Sequence, residues 1–245
     1  MTALHDWVNH TPPFLAKCQA GQMDSIKDSE PRTVGPSKGR VEAFSDGVFA
    51  IAITLLILEI RVPEAEDGAL WNDLLRLWPS YGAYAVSFLT IGVMWVNHHH
   101  LMAFVASVDR GLLYRNLALL GIVGFIPFPT ALLAEYIEGH GLANQRAAVG
   151  AYGLTMIVLS IAFTLLWSHL DRHPELTTND GDPAVIRGSV MQAATGIAAY
   201  VVATGVAFVA PIVSLAIYAL LVVAFAFARP RTPRPAARIG EDSSP

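Results

Sequence analysis

The chain has one cysteine in 245 residues, and charged side chains make up only 15% of it. A lone thiol, Cys18, excludes an internal disulfide, and so little charge excludes an ordinary soluble domain of this size. The chain also lacks a phosphate-binding glycine loop, a G-x-S-x-G nucleophile elbow and any pair of C-x-x-C motifs. Nothing in it therefore asks for enzymatic chemistry, a metal or another cofactor. The first 38 residues lack a charged start followed by a short apolar stretch, so no cleavable secretory signal is expected.

What the chain does have is apolar length: 53% of residues are hydrophobic and the mean hydropathy is +0.46. Charge-free runs cover residues 77–108, 116–134, 147–170 and 188–228. The last is long enough for two spans of roughly 20 residues each, with Pro211 near its middle, where a turn tolerates a missing amide hydrogen. With residues 40–62 added, the expectation is an all-α integral membrane protein with six transmembrane helices per chain. Residues 39–228 would form the membrane domain, flanked by a disordered tail over 1–38 and a basic, proline-rich tail over 229–245.

With the N-terminus inside, 13 of the 16 Lys and Arg residues fall on the inner side. That bias sets orientation, so a multi-pass protein of the cell membrane with both termini cytoplasmic is expected. The net charge of -4 is divided between the two membrane faces and gives no reason to expect a nucleic-acid partner.

Residues 40–60, R-V-E-A-F-S-D-G-V-F-A-I-A-I-T-L-L-I-L-E-I, put charge near both ends of a span. Ionisable groups in a membrane segment usually face a protein interior or water, because lipid exposure costs several kcal/mol. On a straight helical wheel with Ile51 at zero, Leu55 falls at roughly +40, Leu58 at -20 and Thr54 at -60 degrees. Asp46 falls at roughly -140 degrees, on another face. It should pack against neighbouring helices and take hydrogen bonds there, with Trp95 and the second-span histidines as candidate donors. An apolar stripe of this kind can face lipid, a neighbouring helix or a pore, and the wheel leaves the choice open.

Three consecutive histidines, His98, His99 and His100, point about 100 degrees apart on a helix and cannot all face one ion. Hydrogen bonding inside the bundle suits them better than a metal site. His169 and His173 have i, i+4 spacing beside Asp171 and Arg172, which suits a solvated helix end.

The pattern R-x-x-x-F-S-D, here Arg40, Phe44, Ser45 and Asp46, followed by G-V-F-A-I-A-I-T-L-L-I-L-E-I, resembles the first helix of prokaryotic members of the endosomal/lysosomal potassium channel family. W-V-N-H-H at 95–99, and R-N-L followed by F-I-P-F-P-T within 115–130, resemble its second and third helices; His100 stands where a basic residue such as arginine would be expected. The resemblance implies a homotetrameric cation channel whose first helices line the pore. It places a hydrophobic constriction at Ile51, with Leu55 and Leu58 above it and Thr54 tuning selection for potassium. Arg40, Phe44, Ser45 and Asp46, with Trp95 and either His98 or His99, would form a polar network holding the pore helices in register. Glu59 and Glu64 would draw cations to the outer mouth. The threonine-valine-glycine-tyrosine-glycine filter of ordinary potassium channels is missing, so selection would occur at the constriction, and the resemblance leaves proton permeation open. The expected partners are further copies of the chain, lipid and permeant potassium ions. An ion-coupled secondary transporter using Asp46 and a histidine is the alternative; Pro127 and Pro129 in the third span keep it alive.

Overall fold

The computed structural model describes residues 37–64, 66–138, 141–178 and 182–227. All of them lie within one compact unit, 36–245. Of the tails expected over 1–38 and 229–245, residues 1–36 and 229–245 lie outside the described residues.

Helix α1, Lys38–Leu55, starts after Ser37, whose carbonyl takes the amides of Arg40 and Val41. It runs through Gly47 unbroken and tightens into a 3-10 turn over Leu56–Glu59. A loop follows, in which Gly68 adopts a left-handed φ of 83°, a conformation glycine reaches at little cost. The short α2, Leu70–Arg76, leads into α3, Trp78–Ala103, which opens with a proline in its first turn. Helix α4, Arg110–Phe125, is capped by Asp109, whose carboxylate accepts the Leu112 amide at 2.7 Å.

Helix α5, Pro127–Tyr136, continues the path of α4. Ile126 between them keeps right-handed helical angles and its carbonyl accepts the Thr130 amide, so the chain stays helical across Pro127 and Pro129. Helix α6, Gly141–Arg172, has 32 residues and is the longest described. Helix α7, Pro183–Ala207, is capped by Asp182, and α8, Pro211–Phe227, begins at the proline that divides the last apolar run.

Four segments combine the length and apolarity needed to cross a membrane: Lys38–Glu59, Arg110–Tyr136, Gly141–Arg172 and Pro183–Ala207. The two further spans expected from the sequence fall short for different reasons. Helix α3 has 26 residues, but its tyrosines, Asn97 and three histidines dilute its apolar character, whereas α8 is strongly apolar with only 17 residues.

The ends of the bundle are tied by contacts between loops. At one end the α3–α4 and α6–α7 connections pair through the Val105–Thr177 bridge, with Ala106 N donating to Leu176 O at 2.8 Å and Thr178 N to Phe104 O at 2.9 Å. At the other end, Glu59, Arg61, Arg76 and Glu135 gather around one cavity, and Arg61 approaches Glu135 at 3.9 Å.

The most extensive helix interface joins α6 to α7, with α8 packed alongside. Its centre is a tyrosine cluster. Tyr152 and Tyr218 have ring centroids 5.6 Å apart, Tyr218 shares a hydrogen bond with Thr204 at 3.0 Å, and Ser87 bonds Thr130 at 2.7 Å beside the Tyr152 hydroxyl.

A polar anchor behind an exposed helix face

The two sides of α1 differ in burial and chemistry. Val41, Ser45, Phe49, Ala52 and Leu56 are buried against the bundle, and on a wheel they share an arc of roughly +80 to +160 degrees from Ile51. The opposite side is bare in the single chain: Phe44 is 57% exposed, Ile51 61% and Leu58 69%. Thr54 and Leu55 are exposed with them. The Thr54 hydroxyl donates back to the Ile51 carbonyl at 2.9 Å, which leaves its oxygen lone pairs free to accept. Because the helix tightens at Leu56, Leu58 does not keep its straight-wheel angle, although it stays exposed.

Behind this face, two sets of hydrogen bonds hold α1. In the first, the Ser45 hydroxyl donates to Val41 O at 2.8 Å and its oxygen accepts Asn116 Nδ2 at 2.9 Å. The serine proton is thereby used, so the asparagine amide must donate to serine and its Oδ1 must accept. That oxygen lies 2.7 Å from His98 Nε2, so the imidazole presents its Nε2–H to it. All three side chains are buried, and Phe49 packs on the His98 ring with centroids 5.4 Å apart. In the second set, Trp95 Nε1 donates to Asp46 Oδ1 at 2.9 Å. Asp46 lies just outside the buried arc, half-buried. A longer contact, 3.7 Å between His99 and Glu42, runs along its margin.

The residues expected in one polar network therefore divide. Ser45 and His98 meet through Asn116, Asp46 meets Trp95, and His99 lies beside Glu42 and the Trp95 ring. Arg40 and Phe44, expected in the same network, lie exposed on the Ile51 side of the single chain. On the wheel they fall at roughly -20 and +20 degrees from Ile51, so helical periodicity alone separates them from Ser45. Asn116 was missed as a site residue. Its signal is an amide at the start of an apolar run directly after Arg115, a position that also reads as the edge of a span.

Glu64 is exposed, while Glu59 lines a cavity of ≈ 230 Å³ together with Arg61, Arg76, Glu135 and Glu138. Two guanidinium groups and three carboxylates thus share that space.

The solvated helix end expected around His169 is corrected by the structure. His169 is only 6% exposed, and its Nε2 lies 3.0 Å from Asp109 Oδ1, because the α3–α4 loop folds over the end of α6. His173 bonds Glu175 at 2.9 Å. Burial pushes the Asp109 carboxyl up, but the Leu112 and Gly111 amides and His169 together bring it below its ordinary value. Among the described residues, no group of three or more His, Cys, Asp or Glu side chains is arranged to hold a metal ion.

Comparison with known proteins places this arrangement. The family model for the endosomal/lysosomal potassium channel TMEM175 matches residues 40–127, the span of both hydrogen-bond sets. A potassium channel of Streptomyces collinus is 48% identical over 190 residues, covering 77% of this chain and 91% of the relative. This chain belongs to the TMEM175 family.

A TMEM175 relative from Chamaesiphon minutus, named a potassium channel, is 44% identical over 77% of this chain and 93% of its own length. The crystal structure of a lysosomal potassium-selective channel TMEM175 homologue from that organism superposes with a TM-score of 0.68 at 43% identity, covering 77% of this chain and 96% of the solved one. The human member, named an endosomal/lysosomal proton channel, is 36% identical over 54% of this chain and 28% of its own length. The present chain is accordingly a multi-pass membrane protein of a channel family, and membership assigns it a channel-type function, not an enzymatic one.

Proposed function

We propose that the chain forms a potassium-permeable homotetrameric channel in the cell membrane, with six spans per chain, both termini cytoplasmic and α1 lining the pore. The six spans would be Lys38–Glu59, Trp78–Ala103, Arg110–Tyr136, Gly141–Arg172, Pro183–Ala207 and Pro211–Phe227. The observation carrying this reading is the bare apolar face of α1 behind a helix fixed by buried hydrogen bonds. That combination suits a surface held rigidly toward further copies of itself. Four Ile51 side chains would make the narrowest ring, with Leu55 and Leu58 above it. An apolar ring narrow enough to lose its water blocks ions without any charged gate.

Potassium would pass more readily than sodium because the larger ion gives up its hydration at lower cost. The outward lone pairs of Thr54 would compensate part of that loss near the ring. Exposed Glu64, with Glu59, would raise the local cation concentration. The Ser45–Asn116–His98 chain and the Asp46–Trp95 bond would set how far α1 can rotate, and so how wide the ring opens.

The test is reconstitution into liposomes and planar bilayers with potassium, sodium and proton gradients. Ohmic unitary currents favouring potassium are expected, with proton flux measured in the same preparation. Saturable, alternating transport sensitive to Asp46 would instead establish the secondary transporter. No current and no flux under any gradient would remove both readings. Within the channel reading, Ile51→Asn should raise resting leak and erode selectivity; unchanged currents would take Ile51 out of the constriction.

A further inference from the structure

The cavity at the Glu59 end of α1 is lined by charges of both signs that do not all meet. It has a volume of ≈ 230 Å³ and lies between the end of α1, the start of α3 and the end of α5. Arg61 and Glu135 approach each other at 3.9 Å, and Glu138 has a partner of its own. That leaves Glu59, held by the 3-10 turn that ends α1, and Arg76, the last residue of α2. Both line the cavity, yet neither side chain makes a hydrogen bond or an ion pair among the described residues, with the other or with any third group. Arg76 is exposed and Glu59 half-buried, so a ligand can reach both. A guanidinium and a carboxylate that line one space without touching match a ligand with a negative and a positive group on a short linker. Trp71 and Trp78, which flank Arg76 in the sequence, are 70% and 55% exposed. Tryptophan favours the head-group level of a bilayer, and in the six-span reading this end of α1 and α3 lies at a membrane boundary.

We propose that this cavity binds a phosphoethanolamine group, its primary ammonium toward Glu59 and its phosphate toward Arg76, presented by a membrane lipid or by a soluble molecule. Charge, hydrogen bonding and size each limit the occupant. Three carboxylates against two guanidinium groups disfavour a ligand that is only an anion, and a ligand that is only a cation would leave Arg76 unpaired. A primary ammonium donates charge-assisted hydrogen bonds to a carboxylate, and a guanidinium donates them to phosphate oxygens. The quaternary ammonium of choline has no such proton and is recognised by aromatic cages, whereas no aromatic ring among the described residues lines this cavity. The Ser80 hydroxyl in the same wall can donate to a further phosphate oxygen. An enclosed cavity of about 150 Å³ accepts benzene, so the larger space here admits a group of this size. The head-group depth rests on the six-span reading; the charge match rests on the cavity alone.

The test reads binding without ion current, so it can fail while the channel reading stands and succeed where that reading fails. The full chain in phosphatidylcholine nanodiscs is titrated with glycerophosphoethanolamine, glycerophosphocholine or glycerophosphoglycerol while its thermal midpoint is followed. The midpoint is measured again in nanodiscs in which part of the lipid is replaced by phosphatidylethanolamine or phosphatidylglycerol. Arg76→Gln and Glu59→Gln each remove one charge from an accessible side chain and keep it polar. A wild-type midpoint raised by glycerophosphoethanolamine would identify a soluble ligand, and one raised only by phosphatidylethanolamine would identify a lipid. In the responding arm each variant should need about threefold more of the ethanolamine compound for the same effect. No rise in either arm, an equal rise with the choline or glycerol compounds, or a rise that either variant shares unchanged would overturn the proposal.

Discussion

Helices α1 and α6 match in mean hydropathy, yet the chain treats them differently. The most apolar stretch of Lys38–Glu59 is 28% buried within the chain, against 50% for Gly141–Arg172. The cause is in what surrounds them. Helix α6 is packed by α4, α5, α7 and α8, and presents Gly153 where the Tyr218 hydroxyl and Thr204 press in. Helix α1 meets α3 and α4 on one side only and presents Ser45 and Asp46 to them. Apolarity places both in a membrane, but it does not tell a scaffold helix from one with a face left for lipid or for another copy. Polar residues on the covered side make that distinction, because a hydrogen bond fixes a helix's rotation whereas apolar contact alone permits slippage.

Substitutions along the two helices can break or sharpen this contrast, ranked by their expected effect on stability. Gly153→Leu should be the most damaging, abolishing monodisperse folded protein in size-exclusion profiles, since even a Cβ there collides with Thr204 and Tyr218. A well-behaved Gly153→Leu protein would mean that α6 is not the rigid centre. Asn116→Leu comes next. It leaves Ser45 and His98 without their buried partner, a loss of about 2–4 kcal/mol for the two bonds together, to be read from unfolding midpoints in nanodiscs.

Trp95→Phe removes only the indole N–H from Asp46. Because Asp46 is half-buried, about 1 kcal/mol is expected, with the larger change in single-channel open probability. Acid should have a still smaller effect through Asp109. Its carboxyl titrates below its ordinary value in the folded chain, so its stabilisation is present at neutral pH. It is lost as pH falls through that lowered value. Thermal midpoints measured against pH should therefore drop less at the acid end for Asp109→Asn than for wild type.

Ile51→Asn should change stability least, within about 0.5 kcal/mol, while affecting conduction most. A loss as large as that of Asn116→Leu would mean that Ile51 is packed in the assembly.

Much of this was legible in the chain before any coordinates. Charge-free runs marked the apolar helices, and Pro211 marked the start of the last. The wheel separated the Ile51 side from Asp46, and the same arithmetic applied to Arg40 and Phe44 would have put both on the exposed side. Trp95 stood among the candidate donors because a short connection makes the second span a plausible neighbour of the first. Asn116 was less legible: an amide beside Arg115 looks the same whether it faces head groups or a serine 71 residues away in sequence. His169 misled for a similar reason, since i, i+4 spacing at a helix end carries no record of a loop folding over it.

Sequence alone therefore determined what depends on local composition: the membrane as solvent, where helices begin and break, and which residues share a helix face. Tertiary structure decided which polar groups meet, that one side of α1 is covered and the other bare, and that Glu59 and Arg76 line a common cavity. The division has a physical basis. Transfer into lipid and helical periodicity act over neighbouring residues, whereas a buried hydrogen bond needs two groups aligned within about 3 Å, and only the packing of whole helices brings distant residues that close.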